Sequence, residues 1–251
     1  MAIATQATMT PRASAFGVRE EIVNPSRRTA VLVGALFLIS TATFIVSNAM
    51  VTPILGSHNY VAAIAGHSHV MIAAALIALI EGTATFGIAI ALYPTLKRHH
   101  PALALGFAGM RIAELVIATV FALSALLLVT VSATAAHGST AEALATLLVG
   151  LRHWTLMLIY VYTAIGGLML SYMLFKTRLV PRGLAALGLI GYPALLLVAV
   201  LDMLGVVDTV AGAGLVGLVP GGLFEFLLPL WLFAKGFNVT AIDGIRHRVS
   251  A

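Results

Sequence analysis

From Gly106 to Ser132 the chain reads GFAGMRIAELVIATVFALSALLLVTVS, an apolar run long enough to cross a bilayer that nonetheless contains Arg111 and Glu114. Three residues apart, the two side chains lie on nearly one face of a helix. Ionised groups are costly against acyl chains, so both are expected to point into a bundle interior and find partners there. Glu81 and Glu225 are the other acids set deep within apolar runs. The expected fold is therefore an all-α integral membrane protein, a helical bundle built around a buried polar centre of Arg111, Glu114, Glu225 and Glu81.

Composition supports a membrane solvent. Hydrophobic residues make up 61% of the chain and charged residues 9%, with a mean hydropathy of +1.06, whereas a soluble domain is about one-quarter charged. The absence of cysteine excludes disulfides, thiolate metal sites, cysteine-held iron–sulfur clusters and covalent c-type haem. Nucleic acid is not an expected partner, because Lys and Arg fall at the ends of apolar runs and form no patch with interleaved aromatics.

Six spans are expected. They cover Ala30 to about Val51, about His69 to Tyr93, Gly106 to about Ala133, His153 to Phe175, Leu184 to Val206 and about Gly214 to Phe233. Pro53 and Pro94 are expected to close the first two, with a short loop over Gly56 to Ala65. Ser139-Thr140-Ala141-Glu142 has capping-box spacing and predicts a short interfacial helix over Ala141 to Leu151. Residues 1–29 and 238–251 are expected to be tails, the first largely disordered. It lacks the compact build of a secretory signal, so the small-residue site at Ser47-Asn48-Ala49 is not expected to be cleaved.

Twelve of the 14 Lys and Arg residues (Arg12, Arg19, Arg27, Arg28, Lys97, Arg98, Lys176, Arg178, Arg182, Lys235, Arg246 and Arg248) fall on one side of this topology. The positive-inside rule then predicts both termini in the cytoplasm, with six spans. Basic turns recur after the second and fourth spans, but topology alone demands them, and no internal repeat is evident.

Helical rise converts position to depth. Glu114 and Glu225 each lie about ten residues from the basic end of their spans, roughly 15 Å in and close to the midplane. Glu81 falls slightly beyond the middle and Arg111 slightly before it. One guanidinium thus faces up to three carboxylates, and at least one acid is expected to carry its proton at neutral pH. Gly217 and Gly221 form a small-residue track leading to Glu225 and predict close approach of a neighbouring backbone. Pro220 suggests a discontinuity beside that acid. Tyr160, Tyr162 and Tyr192 lie deeper than an aromatic belt requires, which packing or a cavity wall would explain.

Nearer the opposite end, Asp202, Arg152 and His153 form a candidate polar cluster, with Asp202 and Arg152 expected to pair. His67 and His69, with His58, His153 and Asp202 nearby, are candidate Zn, Cu or b-type haem ligands. Residues two apart point away from each other on a helix, so the bland expectation is two solvated interfacial histidines. His99-His100, after Lys97-Arg98, reads as a headgroup-contacting turn. No nucleophile elbow, phosphate loop, dinucleotide fingerprint or helical HExxH occurs, and no cofactor is expected.

Four elements in order also carry a family resemblance: IAIALYPTLKR (Ile88 to Arg98), RIAE (Arg111 to Glu114), TRLVPRGLAALGLIG (Thr177 to Gly191) and PGGLFEFLLPLWLFAKGF (Pro220 to Phe237). With them the chain resembles the bacterial membrane-protein family called domain of unknown function 4386, over about Ala30 to Phe237. The resemblance implies a multi-pass bundle in the bacterial cytoplasmic membrane and brings no site residues. His67-Ser68-His69 is not part of that pattern. The functional expectation is a transport- or permeation-related bundle handling a proton, cation or small solute at its acidic centre. A scaffold or sensor subunit with structural charges is the alternative, and a histidine-based redox protein the third.

Overall fold

The computed structural model describes residues 27–134, 139–209 and 211–238. The expected tails, apart from the residues at their inner edges, lie outside the described residues. Within them the chain is all-helical, with seven helices: α1 (Arg27–Leu55), α2 (Tyr60–Gly66), α3 (Ser68–Leu96), α4 (Pro101–Thr134), α5 (Ser139–Thr177), α6 (Arg182–Met203) and α7 (Gly212–Ala234). Six are long and apolar enough to span a membrane.

Each long helix packs on its predecessor and α7 returns to α1, so the six close into a ring, with α2 lying against α1, α3 and α4. The outer surface is the inverse of a soluble protein's. Leu32, Leu76, Ile90, Leu105, Ile190, Val216 and Leu230 all lie exposed on it, which suits an acyl-chain solvent and no aqueous one. The protein is a multi-pass helical membrane protein.

Several expected boundaries move, for local reasons. The loop expected over Gly56 to Ala65 folds in part into α2, where Asn59 accepts a hydrogen bond from the Ala62 N–H at 3.2 Å and so caps the first turn. Pro53 and Pro94 do not end their helices, which run on to Leu55 and Leu96. Pro220 and Pro229 likewise lie within an unbroken α7, and Pro193 within α6. A membrane helix tolerates the lost donor where neighbours and a local adjustment satisfy the backbone. The separate interfacial helix expected over Ala141 to Leu151 merges with the fourth span into one 39-residue helix. Glu142 in its first turn complements the helix dipole.

At the basic end, Arg27 donates from Nη1 to the Leu232 carbonyl at 2.9 Å and from Nη2 to the Phe233 carbonyl. These carbonyls lie at the end of α7, where Leu232 also accepts the Gly236 N–H at 3.0 Å, so a cation there complements the helix terminus and closes the ring. Gly236, at φ 72°, turns the chain out of the helix, and the Asn238 N–H then bonds the Leu179 carbonyl at 2.8 Å.

Two apolar clusters fill the interior. One, toward the basic end, includes Phe37, Leu92, Phe107, Leu170, Tyr192 and Phe224. The other, toward the opposite end, includes Val51, Ile64, Met71, Phe121 and Leu128. Along α3, Glu81 falls between Ala78 of the second cluster and Ile88 of the first; along α4, Glu114 falls between Phe107 and Ala118. The acids thus sit at the seam between the clusters.

Candidate functional site

A cavity of about 280 Å³ occupies that seam, and every long helix contributes to its wall. Its polar lining is Ser40 and Thr41 of α1, Glu81 and Thr85 of α3, Arg111 and Glu114 of α4, Tyr160 and Thr163 of α5, Tyr192 of α6 and Glu225 of α7. All four residues of the expected polar centre therefore face one space. Its volume lies just below the range for small-molecule sites, roughly 300–1,000 Å³.

The three acids are held differently. Arg111 Nη1 meets Glu114 Oε2 at 2.6 Å within α4, with the two residues 4% and 2% exposed. The second Glu114 oxygen accepts from Thr163 Oγ1 of α5 at 2.8 Å. Both Glu114 oxygens are thus engaged at short range, and its charge is matched. Glu225 is held loosely: Thr41 donates to Oε2 at 3.3 Å and the Tyr192 hydroxyl to Oε1 at 3.4 Å, both long for a bond to a carboxylate. Glu81, 6% exposed, accepts from Thr85 at 3.3 Å, and Thr85 Oγ1 lies 2.7 Å from Ser40 Oγ of α1. Arg111, packed over the Phe107 ring, leaves Nε with no partner among the described residues.

Glycines make room for this arrangement. A Cβ on Gly167 would overlap the Tyr192 ring, and one on Gly191 would overlap the backbone of Gly221. The expected small-residue track therefore does bring a backbone close, that of α6, and it positions Tyr192 beside Glu225. The partners Thr41, Thr85, Thr163 and Ser40 were not singled out as site residues from sequence. Their signal was available: each is a hydroxyl within an apolar run at the depth of an acid.

The second candidate cluster rearranges. Asp202 pairs with His153 (Nε2 to Oδ1, 3.2 Å), not with Arg152, and its other oxygen accepts the Thr209 N–H at 2.6 Å. Asp202 thus anchors the connection between α6 and α7. Arg152 is buried with its guanidinium 3.8 Å from the Phe121 ring centre. Adjacent residues on a helix point about 100° apart, so only one of Arg152 and His153 can face α6. His67 stands at the junction of α2 and α3 with Nδ1 2.9 Å from the Ala63 carbonyl, and both His67 and His69 are exposed. No group of three or more metal-ligating side chains gathers among the described residues. In the basic turn, partial burial pushes the His99 pKa below its ordinary value, and His100 and Arg98 add to the effect.

No curated protein and no solved structure matches the chain. A family model described as domain of unknown function 4386 matches residues 32–236, which include all of the helical ring but the first residues of α1 and every residue lining the cavity. By that match, the chain belongs to the family named domain of unknown function 4386.

Proposed function

We propose that the protein binds and passes a proton or small cation through its midplane cavity, oriented with both termini in the cytoplasm of a bacterial cell. The orientation is supported by charge: among the described residues every Lys and Arg except Arg111 and Arg152 lies at the end of the bundle where α1 begins and α7 ends. The observation that carries the role is the difference between Glu114 and Glu225. The guanidinium in the cavity already neutralises Glu114, whereas Glu225 has only two long contacts to neutral hydroxyls. A carboxylate so placed attracts a proton or a positive solute, because neither hydroxyl supplies a compensating charge.

The scaffold alternative draws on the short Thr163–Glu114 bond that ties α5 to α4 and on the longer Thr41 and Tyr192 contacts to Glu225 that join α1 and α6 to α7. The Arg111–Glu114 pair itself lies within a single helix and joins no two helices. Proteoliposomes separate the readings. Wild-type protein is expected to carry potential-driven proton or rubidium flux above that of empty vesicles. Glu225→Gln should drop that flux to background while leaving yield and melting temperature near wild type. Flux absent in the wild type, or unchanged in Glu225→Gln, rejects the role.

A further inference from the structure

We infer, building on the cation-handling role proposed for this cavity, that its occupant enters sideways from the lipid between α1 and α7 and is a lipophilic molecule bearing a protonated amine. On the basic half the two helices are tied together. Arg27 holds the α7 carbonyls, a Cβ on Gly34 would lie 3.2 Å from the Phe233 ring, and Thr41 reaches Glu225. Around and beyond Thr41 the cavity wall includes Phe44 and Ile45 from α1 and Leu218, Gly221, Gly222 and Phe226 from α7.

Ile45 and Phe226 line the cavity and are also 50% and 44% exposed on the outer surface of the bundle. Gly222, one helical turn before Phe226 on α7 and also in the cavity wall, has nothing within 4 Å of where a Cβ would project. Side chains that face the inside and the outside together, beside an open glycine, mark an aperture. Its depth is that of the acyl chains: Gly222 lies twelve residues from the end of α7, about 18 Å, and Ile45 eighteen from the start of α1, about 27 Å. A hydrocarbon core is about 30 Å thick.

Passage of an alkyl chain along the membrane normal is obstructed. Phe107, Leu92 and Phe224 are fully buried on the basic side, and Met71 and Phe121 on the other. The rim of the side opening is apolar, so a molecule must dissolve in lipid to reach it. Inside, the loosely held Glu225 carboxylate and the Thr41 and Tyr192 hydroxyls favour a positive hydrogen-bond donor. An ammonium on an alkyl chain combines both requirements, with the head at Glu225 and the chain in the opening.

The test uses the full chain in liposomes containing hexadecylamine with a diazirine near its head, and the matching alcohol as control. After photolysis, peptide mapping is expected to find the amine on α1 around Ile45 and on α7 between Leu218 and Phe226. Glu225→Gln should cut amine labelling about tenfold or more, the loss expected when a buried cation loses its charged partner, and leave alcohol labelling unchanged. Gly222→Trp should block both probes, and Ile45→Trp serves in its place if the first variant misfolds. Labelling spread over exposed positions away from the opening, such as Leu32 and Leu76, or labelling that persists with the opening plugged in a folded variant, overturns lateral entry. Equal labelling by amine and alcohol overturns the ligand class. Proton or rubidium flux in the same vesicles identifies which idea has failed: loss of flux in Glu225→Gln alongside failed labelling rejects the side entrance and leaves the cation-handling role standing.

Discussion

Arg111→Met is expected to destabilise the folded bundle by about 3–5 kcal/mol, the cost of stranding one member of a buried ion pair. Glu114 would then keep only its Thr163 bond, in a site from which lipid and packed side chains exclude bulk water. Removing both charges together, as in Arg111→Met with Glu114→Gln, should recover most of that loss, because a neutral amide still accepts from Thr163 and no unmatched charge remains. The pair of variants separates a charge effect from a packing effect: methionine roughly preserves the volume of arginine in both. Thermal unfolding in detergent, followed by loss of monodisperse protein, measures the difference. If the single variant melts no lower than the double, the Arg111–Glu114 pair is not the buried, matched pair that the 2.6 Å contact describes.

Gly191→Leu should have a comparable or larger effect for a different reason. The α6 and α7 backbones touch at Gly191 and Gly221, so any side chain on Gly191 meets backbone that cannot rotate away. The cost should exceed the roughly 1–3 kcal/mol of ordinary overpacking, which flexible side chains help to absorb. Separating α6 from α7 would also carry Tyr192 away from Glu225. Gly109, with nothing within 4 Å of its Cβ position, provides the control. Gly109→Ala should be neutral or slightly stabilising, given the helix preference of alanine. Yield and melting temperature of the two variants decide the matter, and equal tolerance at both sites would contradict close α6–α7 packing.

Much of this architecture was legible because a bilayer imposes a length and a polarity that a sequence records directly. The spans, the one-sided basic residues and the common depth of Glu114, Glu225 and Glu81 all follow from counting residues along single helices. What counting along one helix cannot supply is the identity of the neighbour. Asp202 was matched to Arg152 by depth, yet the rotation of α5 turns His153 toward it and leaves Arg152 on Phe121. The serine and threonine partners of the acids were missed for the same reason, since Thr41 meets Glu225 only once α1 and α7 pack together, while the depth of Tyr192 marked it without naming Glu225 as its partner.

Short elements failed on different grounds. Seven residues are too few for α2 to display a helical period, although Asn59 carried the cap that starts it. The break expected before the fourth span had no residue to enforce it beyond Gly150, and a single glycine costs a helix only about 1 kcal/mol. Conversely, the prolines were read as stops, but a helix surrounded by lipid and other helices has little to gain from unwinding and exposing its backbone.

The chain contains no cysteine, so a cysteine pair can be introduced without background. Thr41→Cys combined with Glu225→Cys, treated with a short bifunctional thiosulfonate in native membranes, tests whether the acid of α7 faces α1 across the interior. Efficient bridging between the two positions is the result expected from inward convergence. Failure to bridge, with position 225 instead labelled freely by lipid-soluble thiol reagents regardless of what occupies Gly222, would place that side chain on the outer surface and contradict the existence of a shared polar cavity.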